Sequence, residues 1–188
     1  ETALNKKIQG EYRKERFVLR PGVWITAYIQ RDLYDNEFDK EAITKQIPES
    51  ITNISAEELA PGLLAKYYDN IECIGDPFLS RVEKDAVSFT YFDETKKPYR
   101  SPFGIEWEGY LLVEQKGIYQ FATKSDDGSV VYLDGKMIVD NDDIHAARYI
   151  SAVVPLEAGF HRIRIRYFDG GGGAIIEFFW RPPGGKES

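Results

Sequence analysis

The 188-residue chain is 43% apolar and 14% aromatic and carries a formal net charge of -7, which suits one well-buried domain and excludes a disordered polar chain. The acidity argues against phosphate-tracking nucleic-acid binding and against anionic membranes as partners, and no apolar run approaches the roughly 18 residues of a membrane span. The single cysteine, Cys73, excludes an internal disulfide and fits either cytosol or bacterial periplasm.

The chain opens on Glu1 rather than Met and reads as a mature region or as a domain of something longer. Residues 1–16 are charged and poor in large apolar side chains, a lead-in helix or linker. Residues 17–60 form an N-terminal extension with short strands, F-V-L and V-W-I-T-A-Y-I around Pro21-Gly22. The polar stretch from Asp32 to Ser50 contains Pro48, which limits any helix there. Ser55-Ala56-Glu57-Glu58 has the S-x-x-E form of a helix start and allows at most a short helix.

Residues 61–183 read as the main domain, with 184–188 as a tail. G-Y-L-L-V, the turn E-Q-K-G and I-Y-Q-F-A-T form a strand–turn–strand unit. V-V-Y-L, Asp134-Gly135 and K-M-I-V give the strongest hairpin signal, because Asp-Gly supplies the positive φ values of a two-residue turn. From His161 to Phe168 the pattern alternates, with Ile163, Ile165 and Tyr167 on one face and Arg162, Arg164 and Arg166 on the other, as in a strand with one wet face. A-I-I-E-F-F-W (174–180) puts Ile176, Phe178 and Trp180 on one face. Ile175 and Phe179 on the other predict a more buried strand, ended by Pro182-Pro183. Tyr67, Tyr68, Trp107, Phe121 and Trp180 lie on strand patterns and are expected in the core. The fold class is all-β, an antiparallel β-sandwich whose N-terminal extension either adds strands to it or belongs to whatever precedes it.

These segments, taken in order, resemble the PA14 domain family over residues 61–182. The pieces that carry the resemblance are G-L-L-A-K-Y-Y (62–68), W-E-G-Y (107–110), G-I-Y-Q-F-A-T-K-S-D-D-G-S-V-V-Y-L-D-G (117–135), L-E-A-G-F-H-R-I-R-I-R-Y (156–167) and G-G-G-A-I-I-E-F-F-W (171–180). The resemblance implies a β-sandwich module of adhesins, glycosidases and other surface proteins. In its sugar-binding members two adjacent aspartates joined by a cis peptide hold Ca²⁺, which then binds vicinal sugar hydroxyls. A second loop completes the ion's shell. Carried onto this chain, the pair is Asp126 and Asp127, and the second loop is Y-F-D-G-G-G-G-A. Asp169 stands at its polar position, and its glycines turn carbonyls inward, Gly171 toward the ion and Gly172 toward the ligand.

Two readings of Asp126 and Asp127 stand side by side. Adjacent carboxylates repel unless a cation lies between them, and Ca²⁺ takes six to eight oxygens at ~2.3–2.6 Å. Alternatively, Ser125, Asp126 and Asp127 cap loop amides as Asx-turns do. A second acidic run, D-N-D-D-I-H (140–145), lacks the glycine and closing glutamate of an EF-hand. From it Asn141, Asp143 and His145 are candidates for touching a ligand, with a solvated loop as the alternative. Tyr149, off the core pattern, is the candidate for stacking on a sugar face.

Catalysis has no evident carrier: the chain has two histidines and one cysteine, with no G-x-S-x-G and no Walker loop. Adjacent aspartates cannot flank a glycosidic bond from opposite sides as hydrolysis requires. The reading is a non-catalytic, calcium-assisted carbohydrate-binding module. It would sit in a larger extracellular, cell-surface or periplasmic protein, with glycan and neighbouring domains as partners. The alternative is a metal-free structural or protein-interaction module that docks a neighbouring domain.

Overall fold

The computed structural model gives the backbone course of residues 17–20, 23–25 and 27–30, and describes residues 59–84, 87–91 and 99–184 in full. The helix expectations for 1–16 and 55–58, and the polar stretch 32–50, lie outside the described residues.

The extension supplies β1 (Phe17–Arg20), β2 (Val23–Ile25) and β3 (Ala27–Gln30). β1 and β2 pair with each other on either side of Pro21-Gly22, whereas β3 joins the main domain. Next come β4 (Leu59–Pro61), β5 (Leu63–Tyr68), β6 (Leu79–Glu83), β7 (Ser88–Tyr91), β8 (Phe103–Val113) and β9 (Gly117–Asp126). The chain closes with β10 (Ser129–Leu133), β11 (Lys136–Asn141), β12 (Arg148–Leu156), β13 (Gly159–Asp169) and β14 (Ala174–Arg181). Among the described residues there is no helix, and so none that could cross a membrane.

Two antiparallel sheets make the sandwich. The larger runs β11-β10-β13-β8-β3-β4, with β5 and β6 attached along the first half of β8; the smaller runs β12-β9-β14-β7. Of the two alternatives for the extension, β3 follows the first, pairing with β4 and β8 in the larger sheet. The strand–turn–strand unit read across E-Q-K-G forms, but its two strands do not pair with each other. Both strands exist, but β8 belongs to the larger sheet and β9 to the smaller, so the turn carries the chain between sheets. Turn residues fix where a chain reverses, not which strand becomes its partner. Here β8 pairs with β13 over its whole length and β9 pairs with β12 and β14.

The Asp-Gly hairpin forms as read, with Asp134 at φ 50° and Gly135 at φ 76° joining β10 to β11. On β13, Ile163, Ile165 and Tyr167 face the core and are fully buried. The arginines face out against β8, Arg164 opposite Glu108 and Arg166 opposite Glu106. The core contains Tyr67, Trp107, Phe121, Phe178 and Trp180, with Tyr119 stacked on Trp180 at 5.3 Å. Tyr68 is also buried, and Tyr149 is 53% exposed. Cys73, at φ 55° beneath Gly104, has its thiol pushed up to about 12 by burial first and by Glu106 second, so it is a packing residue.

The hairpin turn also holds an ion pair. His161 Nδ1 lies 2.6 Å from Asp134 Oδ2, and Arg162 N donates to Asp134 Oδ1 at 2.9 Å. The hydrogen bond to Asp134 raises the His161 pKa. Burial, the largest single influence, pushes Asp134 up, but the His161 hydrogen bond and charge, the Arg162 amide and the Lys136 charge together outweigh it, and the net direction is down. The sign follows from linkage. His161 contributes stability that is complete below its ordinary value near roughly 6.5 and is lost as pH rises through the raised folded value. Asp134 contributes above the ordinary carboxylate range and loses its contribution as pH falls through the lowered one. His161→Gln is therefore expected to destabilise most between about pH 5 and 6.5, by under about 1 kcal/mol since Asp134 is half exposed, and the deficit should shrink toward pH 9. Urea midpoints at these pH values check it; a deficit that grows with pH would contradict the pairing.

Candidate functional site

The inward face of β9 reads Tyr119, Phe121, Thr123, Ser125. It turns from aromatic to hydroxyl toward the end that carries the aspartates, and all four are buried. Ser129 from the larger sheet meets these hydroxyls, at 2.8 Å from Ser125 Oγ and 2.9 Å from Thr123 Oγ1. Asn141, at the end of β11, donates Nδ2 to Ser125 Oγ at 2.9 Å and to the Arg148 carbonyl at 3.1 Å. Such a network is stable in an interior only when its groups are satisfied, and here it ties the two sheets together directly beneath the loop.

Above it, the Asp126–Asp127 peptide bond is cis. Asp127 is 4% exposed, and its two oxygens each take a backbone amide, His145 N to Oδ1 at 3.1 Å and Gly170 N to Oδ2 at 2.8 Å. Tyr167 Oη donates to the Asp126 carbonyl at 2.7 Å. The Tyr167 pKa is raised, first by burial and then by the charges of Asp169, Asp127 and Asp126.

The run 170–173 uses its glycines for two different reasons. Gly171 at φ 140° and Gly172 at φ 87° occupy backbone regions that other residues rarely adopt. Gly170 and Gly173 provide room. A Cβ at Gly170 would lie 3.3 Å from Asp127 Oδ2, and one at Gly173 would lie 3.1 Å from Asp126 Oδ2. Each aspartate thus presents a carboxylate oxygen to a wall of bare backbone. Asp169 is fully buried; Ser101 Oγ bonds its Oδ2, and Gly171 N lies 3.3 Å from its Oδ1. Among the described residues no three His, Cys, Asp or Glu side chains gather as a metal cluster. What the loop does bring together is a pair of carboxylates beside the glycine backbone. Carboxylate oxygens are hard donors, a class that suits Ca²⁺ better than zinc or copper.

The remaining candidates take varied places. Asn141 is fully buried within the network just described. Asp143 is exposed at φ 113° and accepts the Ile144 amide on Oδ1 at 2.7 Å. His145 is half-buried; its backbone amide caps Asp127, while its ring nitrogens face the Asn141 and Ala146 carbonyls at 3.0 and 2.8 Å. Tyr149 lies on β12, opposite Lys124, with its ring 6.0 Å from that of Phe179. Gly172 has nothing within 4 Å of where a side chain would start. The structure thus gathers the pair, the glycine loop and the 141–145 loop, and sets Tyr149 on a sheet face. Sequence reasoning missed Thr123, Ser129 and Arg148. Extending the Tyr119–Phe121 alternation to Thr123 and Ser125 would have exposed the first half of the network.

The class is an antiparallel β-sandwich domain whose adjacent aspartates face a glycine loop. The PA14 domain family model matches residues 59–188, and the chain belongs to that family. Among solved structures it is similar to an anti-sigma factor domain-containing protein from Clostridium clariflavum, with 24% identity and TM-score 0.59, covering 68% of this chain and 44% of that one. It also resembles a GH31 alpha-xylosidase from Xanthomonas citri, with 25% identity and TM-score 0.53, covering 66% of this chain and 14% of that one. A third is a PA14 sugar-binding domain from an RTX adhesin, with 18% identity and TM-score 0.57, covering 66% of this chain and 92% of that one. The chain thus spans less than half the length of the Clostridium protein. No curated protein matches.

Proposed function

We propose that this domain is a non-catalytic carbohydrate-binding module in which Asp126 and Asp127 hold Ca²⁺ and the ion presents open coordination positions to glycan hydroxyls. The observation that carries the reading is the fit between the pair and the glycine loop, since both carboxylates reach positions where any side chain at Gly170 or Gly173 would crowd them. Asp169, engaged by Ser101 and Gly171, shapes the loop whose carbonyls at Gly171 and beyond complete the shell. The bound ion would supply charge and geometry for recognising neighbouring hydroxyls. The chain's own part is to hold the oxygens in place, with Gly172 beside them as the ligand-facing residue of the loop. Family membership and the sugar-binding and glycosidase relatives support the reading, as they do a place in an extracytoplasmic adhesin or carbohydrate-active enzyme.

A screen of labelled domain on a broad glycan panel tests this. Binding to glycans with vicinal hydroxyls, retained at about 1 mM calcium and removed by chelator, is the expected result. Binding indifferent to chelator, or absent throughout, would favour the metal-free reading. For that alternative, the two amides already capped by Asp127 are the supporting observation.

A further inference from the structure

The 142–147 loop reaches Asp127 through one hydrogen bond, His145 N to Oδ1, and two side chains outside the proposed ligand set fix that loop. Arg148, which starts β12 opposite Ser125 of β9, donates Nε to Asn141 Oδ1 at 2.6 Å and Nη2 to the Asp142 carbonyl at 2.8 Å. Asn141 returns a bond from Nδ2 to the Arg148 carbonyl at 3.1 Å, and a second to Ser125 Oγ at 2.9 Å, one residue before Asp126. The loop is pinned again where Arg166 Nη2 meets Asp142 Oδ2 at 2.9 Å.

We infer that Asn141 and Arg148 are positioning residues, a reciprocal clasp that holds the 142–147 loop against Asp127 and so presets its carboxylate for a cation. The second half of this statement rests on the calcium reading of the site; the first half does not. The clasp needs a planar fork, because one group must serve an amide oxygen and a backbone carbonyl at once. Arginine does this from two nitrogens, Nε and Nη2, held in fixed planar spacing, whereas lysine offers its donors from a single ammonium nitrogen and does not reproduce that spacing. It also needs Asn141 in the interior, where its amide bridges the strand bearing Asp126 and the strand that leaves the loop. Groups that orient a metal's ligands commonly change affinity by about 10–100-fold when removed.

The test uses Arg148→Ala, because Arg148 is half-exposed and its loss leaves the Ser125–Ser129–Thr123 hydroxyl contacts in place while removing the donor to Asn141 Oδ1, with Arg148→Lys beside it. Hydrogen exchange in chelator reads the clasp without any cation. The His145 amide is expected to exchange about tenfold faster or more in both variants, while core amides such as Ile165 stay protected. Calorimetric titration with CaCl₂ then reads the presetting, with the dissociation constant expected to rise about 10–100-fold. A purely structural role would lower the melting temperature and loosen Ile165 together with His145. Unchanged His145 protection overturns the clasp, and faster exchange with unchanged calcium affinity overturns the presetting. Should the unsubstituted domain take up no calcium, the calcium reading and the presetting fall together, and the exchange comparison alone decides the clasp.

Discussion

Calcium at about 10 mM is expected to raise the melting temperature of this domain by roughly 3–10 °C over chelator, and Asp126→Asn with Asp127→Asn is expected to abolish the rise. The size follows from linkage. Extracellular-type calcium sites dissociate at about 10⁻⁴–10⁻³ M, so saturation at this level stabilises the folded state by roughly 1.4–2.7 kcal/mol. For a chain of this length each kcal/mol moves the midpoint by about 2–4 °C. The single variant Asp127→Asn separates the two roles open to the pair. An amide side chain has one acceptor oxygen where the carboxylate has two, so it can serve the His145 or the Gly170 amide but not both in the present geometry. In chelator, Asp127→Asn should therefore melt below the unsubstituted domain by an amount worth about 0.5–1.5 kcal/mol. A calcium shift that survives the double substitution would move the ion elsewhere. Its absence in the unsubstituted domain, with the chelator penalty at Asp127 intact, would leave capping as the pair's function.

The parts legible in the sequence are those decided locally. Asp134-Gly135 forces its turn whatever surrounds it, and the Arg/Ile alternation of β13 reports a period of two directly. The route from β8 to β9 was not legible, because E-Q-K-G specifies a reversal while pairing is settled by strands far apart in sequence. β12 went unread for a related reason. Its exposed positions include Tyr149, Val153 and Pro155, which blurs the apolar alternation, and its proline fits only because β12 is an edge strand. At the site, Asp126, Asp127 and the glycine run could be read as a motif. The separate uses of the four glycines could not, since φ and crowding are properties of the folded loop. The partners of Arg148 were hidden too, because a half-buried arginine and a surface one look the same in sequence.

Trp107→Ala is expected to destabilise the domain by about 3–5 kcal/mol, the largest effect of any single change considered. Trp107 lies mid-strand on β8 between Ala65 and Ile165, 2% exposed, on the inner face of the larger sheet. Removing the indole opens a cavity that flanking strands, paired along their lengths, cannot collapse to fill. It also takes the Nε1 donor from Glu83 Oε2, a bond of 2.8 Å. Glu83 keeps Arg81 and Tyr67 as partners, so this loss adds to the cavity cost without stranding the charge. Trp107→Phe separates the terms, because it retains most of the volume but not the donor, and should cost about 1–2 kcal/mol. Tyr149→Ala, on the exposed face, should stay within about 0.5 kcal/mol. With an unfolding slope of about 2 kcal/mol per molar urea, the Trp107→Ala midpoint falls by roughly 2 M. A fall below about 0.5 M would mean that β5, β8 and β13 do not close over a shared core. The site depends on that closure, since Ser101 lies just before β8, β13 ends at Asp169 beside the glycine loop, and β9 delivers Asp126 to it from the opposite sheet.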